Sequence, residues 1–139
     1  VEAIESGSEG PDQTGAMRAL HGDGGRRLEG WTTPAPLSAG APGDADAIAT
    51  ARDDMQWAMT VGAGVVRDAT SLEATERKVD CARGLASGSG VASWELANLA
   101  AVASALLVAA DARTESRGAH TRDDWPDSDP DLALRLVIV

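Results

Sequence analysis

Residues 112–126, ARTESRGAHTRDDWP, crowd three arginines, a histidine and three carboxylates into fifteen positions. Ser116, His120 and either Asp123 or Asp124 supply the hydroxyl, base and orienting carboxylate of a hydrolytic triad. The spacing argues against that use. Gly118 is expected to end a helix between Ser116 and His120, and no G-x-S-x-G elbow or oxyanion loop accompanies them. Just downstream, Asp127, Asp129 and Asp131 form the D-x-D-x-D opening of a calcium loop. The sixth position is Leu132 where the sharp turn needs Gly, and the twelfth is Ile138 where a bidentate Glu belongs. Neither a catalytic residue nor a metal ligand is assigned.

A third arrangement uses the residues better. Arg113 and Arg117 lie four apart on the expected helix with Glu115 between them. His120, Arg122 and Asp124 then alternate along extended chain, where every second side chain points the same way. Guanidinium groups suit bidentate contacts to carboxylates and carbonyls. The strip is therefore expected to lock one domain onto another, with Trp125, Pro126 and Pro130 shaping the exit.

The elements that must position this strip are helical. Residues 1–43 repeat Gly, Pro, Ser and Asp without a lasting apolar period and are expected to be a flexible arm, in which only Leu28 and Trp31 offer local docking. Asp44 is an expected N-cap, with Asp46 in the first turn, for a helix over about 44–68. Ile48, Met55, Met59, Gly62 and Val66 mark one face of it. Gly62 and Gly64 each cost a helix about 1 kcal/mol against Ala, which makes sense if another backbone comes close. The VGAGVV run lacks the third glycine, the preceding strand and the downstream acid of a dinucleotide fingerprint.

Thr70 and Glu73 read as a capping box for a second helix over about 71–83, with Leu72 and Val79 facing inward, Cys81 or Ala82 close by, Cys81 as a small core residue and Gly84 as a stop. After the SGSG loop, a third helix is expected over about 93–117. It carries Leu96, Leu99, Ala103, Leu106 and Ala110 on one side and Val102, Ala105 and Ala109 on the other, so it should be the most deeply buried. The fold class expected is all-α. An antiparallel three-helix bundle over 44–119 follows a disordered N-terminal arm and precedes an extended C-terminal tail, 120–139, that docks on a neighbouring domain.

Composition narrows the function. The net charge of −10, with eleven of twelve basic residues being Arg, disfavours nucleic acid and anionic membranes as partners. Residues 96–110 are apolar apart from Asn98 and Ser104, yet fall short of the roughly 20 residues of a membrane span. A core helix is expected instead. A lone Cys81 forms no internal disulfide and fits the cytoplasm. There is no basic region followed by an apolar leader, and the missing initiator Met suggests a chain that begins partway through a longer protein.

The runs WELANL, then the alanine-rich helix, then ARTESRGAHTRDDWPDSDP, resemble the C-terminal helical domain of the L-aspartate oxidases. These belong to the succinate dehydrogenase and fumarate reductase flavoprotein superfamily. The M…GAGVVRD…SLE pattern over 59–73 resembles the same domain's first helix and turn, and the likeness extends over about 44–139. The closing LALRLVIV is more like the oxidases than like succinate dehydrogenase or fumarate reductase chains, which usually continue to a Trp and a His-Thr pair. A domain of those latter flavoproteins and a stand-alone helical interaction module are the alternatives.

The resemblance implies an FAD enzyme that oxidises L-aspartate to iminoaspartate for de novo NAD synthesis and passes electrons to oxygen or fumarate. The family's glycine-rich FAD-binding unit and its SNSLLEG-like segment do not occur here, and its substrate-binding His and Arg lie in the flavin and capping domains. Arg113, Glu115, Ser116, Arg117, His120, Arg122 and Asp124 are then expected to dock on the flavin domain, with no catalytic or cofactor-binding residue in this chain. FAD belongs to the parent enzyme, whose FAD-binding and capping domains are the partners. The chain alone is expected to be colourless and inactive, and to self-associate through its tail and third helix.

Overall fold

The computed structural model describes residues 25–28, 41 and 43–138. Three helices pack together, α1 (Ala45–Gly62), α2 (Ala69–Leu85) and α3 (Val91–Ala112). The first two run antiparallel, as the pairs Asp54–Lys78 and Ala58–Thr75 and the approach of Gly62 to Ser71 require. Among the described residues four short strands accompany them: β1 (Gly25–Leu28), β2 (Val66–Arg67), β3 (Thr121–Arg122) and β4 (Arg135–Ile138). β1 pairs with β4 and β2 with β3, both in parallel, the latter in the register Val66↔Thr121. A 3₁₀ turn, Pro130–Leu132, precedes β4.

The core follows helical spacing. Ile48, Ala51 and Met55 of α1 meet Leu72, Val79 and Ala82 of α2 and Leu96, Ala100, Ala103 and Leu107 of α3. Alanine is small, so the helices approach closely and shape matters. A Cβ on Gly62 would lie 2.2 Å from Thr75 Oγ1 and 2.9 Å from Ser71 O. That glycine is required by the crossing of α1 and α2.

Asp44 caps α1 as expected, Oδ1 accepting from Asp46 N at 2.9 Å and Ala47 N at 3.2 Å. The other boundaries shift. α1 stops at Gly62, and Val66, expected on its inner face, stands exposed in β2. The box at the start of α2 is Asp68 with Ser71, not Thr70 with Glu73. Ser71 N donates to Asp68 Oδ1 and Asp68 N donates to Ser71 Oγ. Pairing of β2 with β3 holds residues 66–67 extended, so the helix starts directly after them, and Glu73 is left to pair with Arg77.

Gly84 does not stop α2, which runs to Leu85. Cys81 is exposed rather than core. The buried face steps through Leu72, Thr75, Val79 and Ala82, which places residue 81 about 100° off it.

α3 departs furthest from expectation. It ends at Ala112 instead of 117, because Arg113 turns to an extended φ −94, ψ 91. Nor is it buried all round: Leu99, Val102 and Leu106 are 38%, 61% and 56% exposed. Two neighbouring helices cover one side of a rod that is apolar on both. By length and composition it is also apolar enough to cross a membrane. Four residues of the expected disordered arm are the strand β1, with Leu28 buried, and Ala41 O accepts Ser89 N–H at 3.1 Å; Trp31 and most of that arm lie outside the described residues. The tail, expected on a neighbour, lays β4 beside β1 of its own chain.

Candidate functional site

Once α3 stops at Ala112, the chain doubles back around one buried carboxylate. Glu115 has no exposed surface. It is ion-paired to Arg113, accepts Arg117 Nε and Nη2 at 2.9 Å each, and accepts the Asp129 amide at 2.8 Å. The Arg117 guanidinium, with help from the Asp129 amide and Arg113 and against the cost of burial, holds the Glu115 carboxyl down at about 2. Arg113 also donates to Leu132 O and Leu134 O at 2.9 Å each, and Arg117 Nη2 to Asp129 O. A single carboxylate thus organises two guanidiniums that clamp the 3₁₀ turn and the approach to β4.

A second knot lies beside it. Arg122 is 2% exposed and forks onto Asp124, Nε to Oδ1 and Nη2 to Oδ2, both at 2.7 Å. Its Nη1 donates to Ala110 O at 3.1 Å and Asp111 O at 3.3 Å, carbonyls that the end of α3 leaves without helical partners. Asp124 Oδ2 accepts the Ala69 amide at 3.0 Å, one of the unpartnered N–H groups at the start of α2. The pair therefore sets a cation on one helix C-terminus and an anion on another's N-terminus, the favourable sense for both dipoles. Hydrogen bonding to Arg122 lowers Asp124 to about 2, and Asp124 in turn raises Arg122.

Ser116 and His120 fill the gap between the knots. Ser116 Oγ donates to Trp125 O at 2.9 Å and accepts Arg122 N–H at 2.9 Å. His120 Nε2 lies 3.1 Å from Arg113 O. Burial, reinforced by Arg67, Arg113 and Arg122, lowers His120 from its ordinary 6.5 despite that carbonyl. The neutral ring therefore donates from Nε2. Arg117 and His120 exchange backbone hydrogen bonds around Gly118, at φ +60, in a tight reverse turn.

The seven residues singled out in the sequence do converge, but not as a strip. Arg113 and Arg117 are off the helix, and both reach Glu115 from irregular chain. The triad reading fails, since Ser116 Oγ and His120 Nε2 are each committed to different backbone groups. The calcium reading fails too: Asp129 Oδ1 caps Asp131 N at 2.9 Å, and no cluster of three metal-ligating side chains occurs among the described residues. Sequence reasoning missed Arg67 on β2, beside Arg122 on β3; its one signal is a cation set among valines in VVRD.

FAD is the cofactor to test against these surfaces. A cleft of about 420 Å³ between α2 and α3 is lined by Leu72, Leu107, Glu73, Glu76 and Asp111. Another, beside Trp125, is lined by Asp124, Asp127 and Asp129. Carboxylates at both would repel a pyrophosphate, so neither cleft fits a dinucleotide.

Residues 52–135 match the family described as fumarate reductase flavoprotein C-term. The chain belongs to that family. The matched span contains both knots and all of α2 and α3. An L-aspartate oxidase of Streptomyces coelicolor is 40% identical over 99 residues, covering 64% of this chain and 17% of that protein. An L-aspartate oxidase of Rhodospirillum rubrum is 37% identical over 110 residues, covering 78% of this chain and 37% of that protein. The chain thus spans well under half the length of either relative.

Proposed function

We propose that this chain is the C-terminal helical domain of an FAD-dependent L-aspartate oxidase, and that its role there is structural. The observation that carries the substrate is the identity of 40% and 37% to two L-aspartate oxidases over 64% and 78% of this chain. The role rests on the site. Glu115, Arg122 and Ser116 spend their polar groups on neighbouring side chains and on the backbone, and His120 turns its Nε2 to Arg113 O. The two knots fix residues 113–134 as a shaped surface whose outer side carries exposed Trp125. That surface, with the bare side of α3, docks on the FAD-bearing part of the enzyme. The chain by itself binds no FAD and turns nothing over.

Grafting residues 44–139 in place of the matching segment of the Streptomyces oxidase tests this. The chimera is expected to retain FAD and oxidise L-aspartate, and the 139-residue chain alone to do neither. A chimera that folds but loses its flavin contradicts the reading. The second reading, a fumarate reductase or succinate dehydrogenase domain, is favoured by the family's description. It predicts that the same graft is accepted by a fumarate reductase flavoprotein and rejected by the oxidase.

A further inference from the structure

Arg67 stands out by what it lacks. Arg52, Arg77, Arg83, Arg113, Arg117 and Arg122 each have a carboxylate within 3.8 Å. Among the described residues Arg67 has none, in a chain with 22 acidic residues to choose from. Its Nε is buried without a hydrogen-bond partner. Arg122, the neighbouring cation, makes its position worse: burial and that charge both lower Arg67. A partly buried guanidinium with an orphaned donor costs free energy that nothing among the described residues offsets.

The surroundings say what kind of surface completes it. Val61, Val65 and Val66 lead up to Arg67 in the chain and are 61%, 61% and 54% exposed. β2 and β3 form a two-stranded sheet, so this corner is not covered by a third strand among the described residues. Exposed valines in the segment that leads to a guanidinium needing an acceptor match the composition of a docking patch with one charged anchor.

We propose that Arg67 anchors this domain to the rest of the enzyme by pairing with an aspartate or glutamate on the protein surface that covers Val65 and Val66. The proposal rests on the reading of the chain as the C-terminal domain of a larger flavoprotein. Charge complementarity selects the partner. With Nε closed off inside the domain, the end-on fork of the two Nη groups suits a carboxylate held in fixed geometry.

The Arg67→Met variant tests it in two settings, the 139-residue chain and the oxidase chimera. A residue serving only the fold loses stability in both. An anchor awaiting a partner behaves with opposite signs. Removing the unpaired cation raises the melting temperature of the chain alone by a few degrees, while the chimera melts about 5 °C lower and loses flavin about 10-fold faster. Arg67→Lys, which keeps charge but not the fork, falls between in the chimera.

Equal destabilisation in both settings overturns the proposal, as does a chimera indifferent to the change. So does a melting temperature of the isolated chain that rises with added succinate or phosphate, provided Arg67→Met abolishes the rise, because the acceptor is then a free anion. If the unsubstituted chimera folds without retaining flavin, the domain assignment fails first and this proposal with it.

Discussion

Arg122 joins more of the structure than any other side chain in the cluster. Its guanidinium makes four hydrogen bonds, to two carbonyls at the end of α3 and to both oxygens of Asp124, which itself caps α2. Arg122→Ala leaves those carbonyls and the Asp124 carboxylate short of partners and should destabilise the chain by about 3–5 kcal/mol in urea unfolding. Arg122→Lys should recover little, since an ammonium cannot fork onto Asp124 while reaching back to α3.

The same scale governs the response to acid. Glu115 and Asp124 are held at about 2, below their ordinary 4.5 and 3.8. A carboxyl with a depressed value in the folded state stabilises that state above its unfolded value, and loses this as pH falls towards the folded one. The melting temperature should therefore be level above roughly pH 5 and drop between there and about 2, and Glu115→Gln should flatten that limb. An acid limb unchanged in Glu115→Gln would show that the carboxylate is not the buried hub.

At the scale of elements, the three helices were legible because apolar spacing marks them and Asp44 announces the first. The end of the third was not. Ala112 and Arg113 are good helix formers, and no local residue says stop. The termination is set from a distance, by Arg122 taking the last carbonyls and Glu115 drawing Arg113 off the axis. The start of α2 was misplaced for a similar reason. Its boundary depends on β2 pairing with a strand 55 residues downstream, which no window of sequence displays.

Gly62, by contrast, was readable as a close approach, and the structure supplies the neighbour. Gly62→Ala drives a methyl onto Thr75 Oγ1 and Ser71 O, with a cost of about 1–3 kcal/mol by thermal unfolding. Gly84→Ala meets nothing within 4 Å and should instead stabilise slightly. Opposite signs for two helical glycines check the packing of α1 on α2.

For the whole molecule, the sequence overstated how much the bundle buries. Three helices leave Leu99, Val102 and Leu106 of α3 in solvent, and periodicity cannot tell a face covered by a neighbour from one awaiting cover. The candidate site shows the same limit. Its residue list was visible in 112–126, whereas its inward direction was not, because that follows from the chain reversal at Gly118 and the tie to Asp129. Placing Glu at both Val102 and Leu106 should change the stability of the isolated chain by no more than about 0.5 kcal/mol each. In the oxidase chimera the same pair should strip the domain from the flavin-bearing part, seen as faster proteolysis between them.

The central claim is that residues resembling catalytic groups here hold a fold together. His120 is the one side chain in the cluster whose neutral ring suits proton transfer, so it gives the sharpest test. L-aspartate turnover per bound flavin, measured for the chimera with His120→Ala, should stay within about twofold of the parent, with any loss confined to melting temperature. A fall of about 100-fold or more at unchanged melting temperature would place His120 in the chemistry and contradict the account.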